Sequence, residues 1–318
     1  MAIQYGSPRS DVILFEKSNK YLTETEDKYV IYQIDKTYEK LIQDMNNEKT
    51  YFLNNIPFHI ETIENKIKLE KEKYTIKLSE TNQNLEDLSE KENFFINIFR
   101  YINTFYLKKI YLPKIIKENN LIIKKLNEEL DILKNKPFEF FIKKHQKSLD
   151  LIKILEELKK DPLYSKSKKE ISVLKYLLQL DNASVVLCGL YINLNNIKVH
   201  NKVKIINFDF IVINTKGLFL INILENENDD LKKMQLYGYL IYLFFKSQSI
   251  NKDLAITQNR IRSILINTNQ TSLNEKDSQI SILNLEKLNE EILNNPDCLL
   301  DTEVATISNL LLNYISKK

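Results

Sequence analysis

A chain of 318 residues, 43% hydrophobic and 28% charged, has ample material for one or two buried cores and is too apolar for a disordered protein. Its 46 basic and 43 acidic side chains leave a net charge of +3, which excludes a protein that coats a polyanion with its whole surface. Two cysteines, Cys188 and Cys298, make no disulfide framework, so a reducing, cytoplasmic setting is expected.

No basic-then-apolar leader opens the chain. The most apolar window, Phe94–Leu107, is too short to span a bilayer and carries Arg100. No membrane partner is expected. Only four glycines and six prolines punctuate the sequence, which favours long helices.

Residues 1–27 are mixed, with Val12-Ile13-Leu14-Phe15 as a short strand or docking segment. Residues 28–165 are expected to be helical. Ile34, Tyr38, Leu41, Ile42 and Met45 recur at three- and four-residue spacing up to Asn54, and Pro57 interrupts. From Ile60 to about Lys91, the residues Ile60, Ile63, Ile67, Tyr74 and Leu88 make a heptad seam, broken by Glu70 and Lys77. A second helix, opened by Pro113, carries Ile116, Ile123, Leu126, Leu130 and Leu133. The two should pair antiparallel as a hairpin or short coiled coil. Between them lies the aromatic stretch Phe94–Leu112, read as a packed hairpin tip, or alternatively as an exposed patch for a partner. One further helix is expected over 138–160. The run Lys159 to Lys169, which contains the helix break Asp161-Pro162, reads as a solvated basic linker, or else as a phosphate-contacting strip through Lys166, Lys168 and Lys169.

From residue 166 to 318 the rhythm changes to short apolar runs. A helix over Glu170–Leu180 is followed by strands over Val185–Leu194, Ile197–Val199, Val203–Ile213 and Leu218–Leu224. Next come a helix over Asp230–Lys246, strands over Ile261–Ile266 and Ile280–Leu283, and two helices, Leu285–Leu293 and Asp301–Ile315, with Asp301 as N-cap. This order predicts an α/β domain with a mixed sheet and flanking helices. Asp209 and Asn222 are single polar residues inside two apolar strands joined at Gly217. A carboxylate in such a strand costs free energy unless it is paired, hydrogen-bonded or metal-bound, so Asp209 is the first candidate for chemistry.

The phrase Phe208-Asp209-Phe210-Ile211-Val212-Ile213, then Gly217-Leu218-Phe219-Leu220-Ile221, resembles the core of the nuclease-related domain called NERD, a branch of the PD-(D/E)xK nucleases. Glu170 falls where that family places a helix acid, and Gln235 near its glutamine. The resemblance implies a restriction-endonuclease-like fold for about residues 168–318 and a metal-dependent deoxyribonuclease ancestry. In an intact site the acids hold Mg²⁺ and a lysine stabilises developing charge. Here Asn222 and Leu224 stand at the Glu-x-Lys positions.

The resemblance therefore implies a degenerate nuclease, with no metal or weakly bound Mg²⁺ on Asp209 and Glu170. The protein would act as a nucleic-acid- or protein-binding module, with coiled-coil self-association or a protein partner for the helical half. An active DNA nuclease, with Lys232 or Lys233 replacing the lost lysine, is the alternative; a coiled-coil scaffold is the third. Lys232 and Lys233 join Lys166, Lys168 and Lys169 as candidate DNA contacts. Glu225, one residue past the lysine position, is expected to point to the opposite face of its strand. His59, His145 and His200 show no ligand spacing, and His145 reads as solvated.

Overall fold

The computed structural model describes residues 1–22, 27–87, 101–194, 205–247, 257–268, 276–277 and 280–315. The chain forms two compact units, one of residues 1–37 with 155–318 and one of residues 38–154. The sequence-derived division falls instead at 27/28 and 165/166.

The first unit is built on one mixed sheet. Its described strands are β1 (Ile3–Tyr5), β2 (Val185–Asn193), β3 (Ile205–Asn214), β4 (Gly217–Ile223), β5 (Ile261–Asn267), β6 (Lys276–Asp277) and β7 (Ile280–Asn284). Their order is β1-β2-β3-β4-β5-β7-β6. The β2–β3–β4 meander is antiparallel, and Gly217, at φ +140°, allows the turn into β4. A Cβ there would lie 2.9 Å from the Arg260 carbonyl oxygen. β5 joins β4 in parallel and β7 joins β5 in parallel.

Helices cover both faces, which is why the central strands read as nearly continuous apolar runs. On one face, α8 (Glu227–Ser247) and α10 (Asp301–Leu312) pack Met234, Leu240, Phe244, Ile307 and Leu311 against Leu218, Leu220 and Leu265. On the other, α7 (Pro162–Leu177) and α9 (Leu288–Leu293) bring Val173, Leu177, Leu288 and Ile292 onto Val212, Phe219 and Ile264. Burying each such side chain stabilises the fold by about 1.5–3 kcal/mol.

The N-terminal residues belong to this unit. Val12–Phe15 lies in α1 (Arg9–Ser18), a helix rather than a strand, and Leu14 is fully buried. Asp11 of α1 is also buried and receives the Val30 N–H at 3.0 and 3.1 Å, which caps α2 (Val30–Asn54) from a distance. The 159–169 run is not a linker. Asp161 accepts the Leu163 N–H at 2.9 Å and Pro162 takes the first helical position, so the residues that end one helix start α7. At the C-terminus Leu300, not Asp301, is the N-cap, and its N–H donates to Glu303 at 2.8 Å.

The second unit is helical. Lys134, near the end of α4 (Leu112–Asn135), reaches Glu64, near the start of α3 (Ile56–Asp87), at 2.7 Å, so the pair runs antiparallel. Ile63, Ile67, Leu133, Phe141 and Phe52 form its core. The single helix expected over 138–160 is two, α5 (Pro137–Lys144) and α6 (Gln146–Lys160), separated at His145, which has non-helical angles. His145 is not solvated. Its ring lies 4.4 Å from that of Phe141 and its Nδ1 is 2.9 Å from Glu48. His59 stacks on Phe52, and burial, with Lys144 nearby, lowers its pKa. Expected features at Leu88, Phe94, Phe95, Phe99, Ile197–Val199, His200 and Lys204 lie outside the described residues.

Candidate functional site

Inside–outside alternation in β2 and β3 slips by one residue at a shared level. Ile206 and Phe208 face the α8/α10 layer, and so do Ile211 and Ile213, with Phe210 on the other side. In β2 the same slip falls between Leu187 and Leu190, at Gly189, whose φ is +64°. Such irregularities re-aim side chains. The side chain re-aimed here is that of Asp209.

Asp209 sits at a fork. The β3–β4 ladder ends at Phe210 and Ile221, beyond which β3 stays with β2 and β4 with β5. Side chains replace the missing ladder bonds. The Asp209 N–H donates to Asn222 Oδ1 at 2.8 Å, and the Ile223 N–H donates to Asp209 Oδ2 at 2.8 Å. The polar pair in two apolar strands thus satisfies backbone groups where the strands part.

Glu170, 1% exposed, projects from α7 toward the same place. Its Oε2 accepts the Ser10 N–H at 3.0 Å and its Oε1 the Ser10 hydroxyl at 2.8 Å. Ser10 lies in the first turn of α1, so this carboxylate caps α1 much as Asp11 caps α2. Burial, with Asp209 as the next contributor, pushes the Glu170 carboxyl up from 4.5 to about 7, against the Ser10 hydrogen bonds and the Lys166 charge. Burial likewise raises Asp209, while the Ile223 N–H and Lys166 pull it down.

Lys166 lies one turn before Glu170, on the same side of α7. Its ammonium is 2.7 Å from Glu225 Oε1. Partial burial works against its charge, but Asp209, Glu225 and Glu170 together raise its pKa. Glu225 does not point away as strand alternation predicts. β4 ends at Ile223, and Asp230 then accepts the Glu225 and Asn226 N–H groups, each at 2.8 Å, fixing a turn. Past the strand end the period of two no longer applies.

The cluster therefore joins Glu170, Asp209, Asn222, Glu225 and Lys166, with Lys233 near enough to lower Asp209. The other sequence candidates go elsewhere. Leu224 packs at the margin of the α8/α10 core. Gln235 is exposed on α8 and borders a separate cavity of about 580 Å³ with Tyr239, Arg262 and Ser263. Lys168 is exposed, 5.8 Å from the Tyr164 ring centre. Lys233 stands 5.6 Å from that of Tyr237. Lys169 is half-buried and Lys232 exposed. Lys216 pairs with Asp297 at 3.1 Å, at the β3–β4 turn.

Chemically, the cluster offers an acid poised near neutrality, a second carboxylate and one ammonium. Mg²⁺ asks for near-octahedral oxygens at about 2.0–2.1 Å. The Asn222 oxygen already serves the Asp209 N–H, both Glu170 oxygens serve Ser10, and Glu225 serves Lys166. Among the described residues, no group of three or more His, Cys, Asp or Glu side chains is placed to hold a metal ion. A bound Mg²⁺ would have to share or displace these hydrogen bonds and this ion pair.

Sequence reasoning missed two members of the cluster in their roles, Glu225 and Lys166, and also Ser10, which holds Glu170. A signal existed for Lys166. Once Asp161-Pro162 is read as a helix start, Lys166 and Glu170 are four apart on one helix face. Comparison of the chain with protein-family models, with curated proteins and with solved structures gave no match.

Proposed function

We propose that the sheet unit is a nuclease-related domain of the restriction-endonuclease-like class that has lost metal-dependent hydrolysis and acts as a DNA-binding module. The helical unit, with its heptad-like seam, is proposed to carry assembly contacts. One observation carries the reading: the Lys166 ammonium sits among Glu225, Asp209 and Glu170, so an internal cation compensates the acids that a divalent ion would otherwise hold together. The exposed lysines Lys168, Lys232 and Lys233 lie on α7 and α8, the helices that bear on the cluster, where phosphate contacts would be made.

The test combines titration calorimetry with Mg²⁺ and Mn²⁺ and DNA-binding anisotropy across a salt series. The expected results are no stoichiometric metal binding, and a DNA affinity that falls linearly in log–log form with salt. Lys168→Glu with Lys232→Glu should weaken DNA binding at least tenfold. Tight stoichiometric metal binding that Asp209→Ala abolishes overturns the loss of hydrolysis; salt-independent or absent DNA binding overturns the DNA role.

The same placement of Lys166 favours a second reading, an active nuclease in which Lys166 rather than Lys232 or Lys233 replaces the strand lysine. It requires Mn²⁺-dependent cleavage of linear DNA that both Asp209→Ala and Lys166→Ala eliminate. Intact DNA after prolonged incubation excludes it.

A further inference from the structure

The helical unit carries a surface that the proposed function leaves unused. Residues 101–106 are helical, Leu107–Tyr111 form a π-helical stretch, and α4 continues from Leu112. Large side chains here face water: Tyr101 is 74% exposed, Ile102 57%, Phe105 53%, Tyr106 50% and Ile110 51%. The π-helical turn stacks Tyr106 on Tyr111, ring centroids 6.4 Å apart. This five-residue spacing follows from the i→i+5 geometry and merges the aromatics before and after the turn into one patch. On the same α4 helix, Ile115 and Leu133 are buried. Leu121 and Ile122 further along α4 are exposed as well, but the run from Tyr101 to Ile110 is the densest such stretch among the unit's described residues.

Charge identifies the occupant. Residues 101–117 include Lys108, Lys109, Lys114 and Lys117 and no acidic residue; the first acid after them is Glu118. A two-fold contact with a second copy would set this lysine cluster against its own image. Nucleic acid would suit the lysines but leave Ile102, Phe105 and Ile110 without apolar cover. An anionic bilayer interface satisfies both properties. Aromatic and aliphatic side chains enter the headgroup–acyl boundary, and lysines meet lipid phosphates and carboxylates. Among the described residues no helix is long and apolar enough to cross a membrane, so the attachment is peripheral.

We propose that the 101–117 segment docks the protein onto the surface of an anionic lipid bilayer, with Ile102, Phe105, Tyr106 and Ile110 inserted and Lys108 and Lys109 at the headgroups.

The test floats the whole chain with phosphatidylcholine vesicles and with vesicles rich in phosphatidylserine, whose surface potential is negative. Partition should be at least ~10-fold greater onto the anionic vesicles. It should fall by ~10-fold or more in Lys108→Glu/Lys109→Glu and in Phe105→Ser/Tyr106→Ser. Lys246→Glu/Lys287→Glu, at exposed positions of the other unit, should bind as the parent does. Circular dichroism confirms that each variant folds, as substitutions at exposed positions should. The chain has no tryptophan, so Tyr106→Trp is a sole reporter. Its emission should shift to the blue on anionic vesicles and stay unshifted on neutral ones. Equal partition onto both lipids, anionic binding indifferent to the Phe105/Tyr106 change, or reporter emission that anionic vesicles leave unshifted each overturns the proposal. So does a dimer that Phe105→Ser/Tyr106→Ser dissolves in the absence of vesicle binding, which would assign the patch to a second copy.

Discussion

The two units solve opposite problems. In the sheet unit, polar residues stand where an apolar one would pack, and the central ones are satisfied: Asp209 and Asn222 by the forked backbone, Glu170 by Ser10, Asp11 by the start of α2. In the helical unit, apolar residues stand where a polar one would be solvated, as at Ile102, Phe105 and Ile110. A polar residue inside is held by internal bonds and first reports on folding. A contiguous apolar patch outside, unlike a single exposed side chain, has no internal explanation and points to a partner.

The contrast can be broken by mutation, and the largest effect should come from the sheet core. Phe219→Ala, at a site with no exposure, should cost about 3–5 kcal/mol in chemical denaturation. Leu69→Ala, 49% exposed on α3, should change stability by less than about 0.5 kcal/mol. Equal losses would erase the distinction between the units.

Next in size is the remote cap. Asp11→Ala leaves the start of α2 without its acceptor, and the expected loss is about 1–3 kcal/mol. A neutral result in a urea titration would mean that water replaces the carboxylate without cost.

The pH dependence is smaller but more specific. Glu170 is raised in the folded state from 4.5 to about 7. A carboxyl with a raised folded pKa binds more protons folded than unfolded across that window, so stability should decline as pH rises from about 4.5 to about 7. Glu170→Gln keeps an acceptor for Ser10 and should flatten that decline in melting temperatures measured across the same range. An unchanged slope would place the titration elsewhere.

A modest effect is expected at Lys166. Its side chain is about one-third exposed, so solvent screens its ion pair, and Lys166→Met should cost only about 1 kcal/mol. The cost should be larger at pH 8 than at pH 5, because fewer of the facing carboxyls are then protonated. A pH-independent cost would show that Lys166 is a packing residue.

Much of the sheet was legible in the sequence because its strands are apolar runs bounded by Gly217 and polar turns, and a buried strand needs little more. The 138–160 helix was misjudged because periodicity runs through His145 without recording that the backbone bends there. The convergence of Lys166, Glu170, Asp209 and Glu225 was not legible. It depends on where α7 begins, on a one-residue slip at Gly189 and on a turn after Ile223, none of which alters hydrophobic spacing. The N-terminal residues were hardest to place, since three short-strand residues gain meaning only beside a partner far along the chain.

That partner sets a schedule for synthesis. β1 pairs in parallel with β2, Ile3 against Val185, so about 180 residues separate the two ends of the contact. At roughly 5–20 residues per second, nascent β1 waits on the order of 10–40 s before it has a partner. During that interval residues 38–154 emerge whole, and their helices can pack first. The sheet should close last, after the helical unit has already folded.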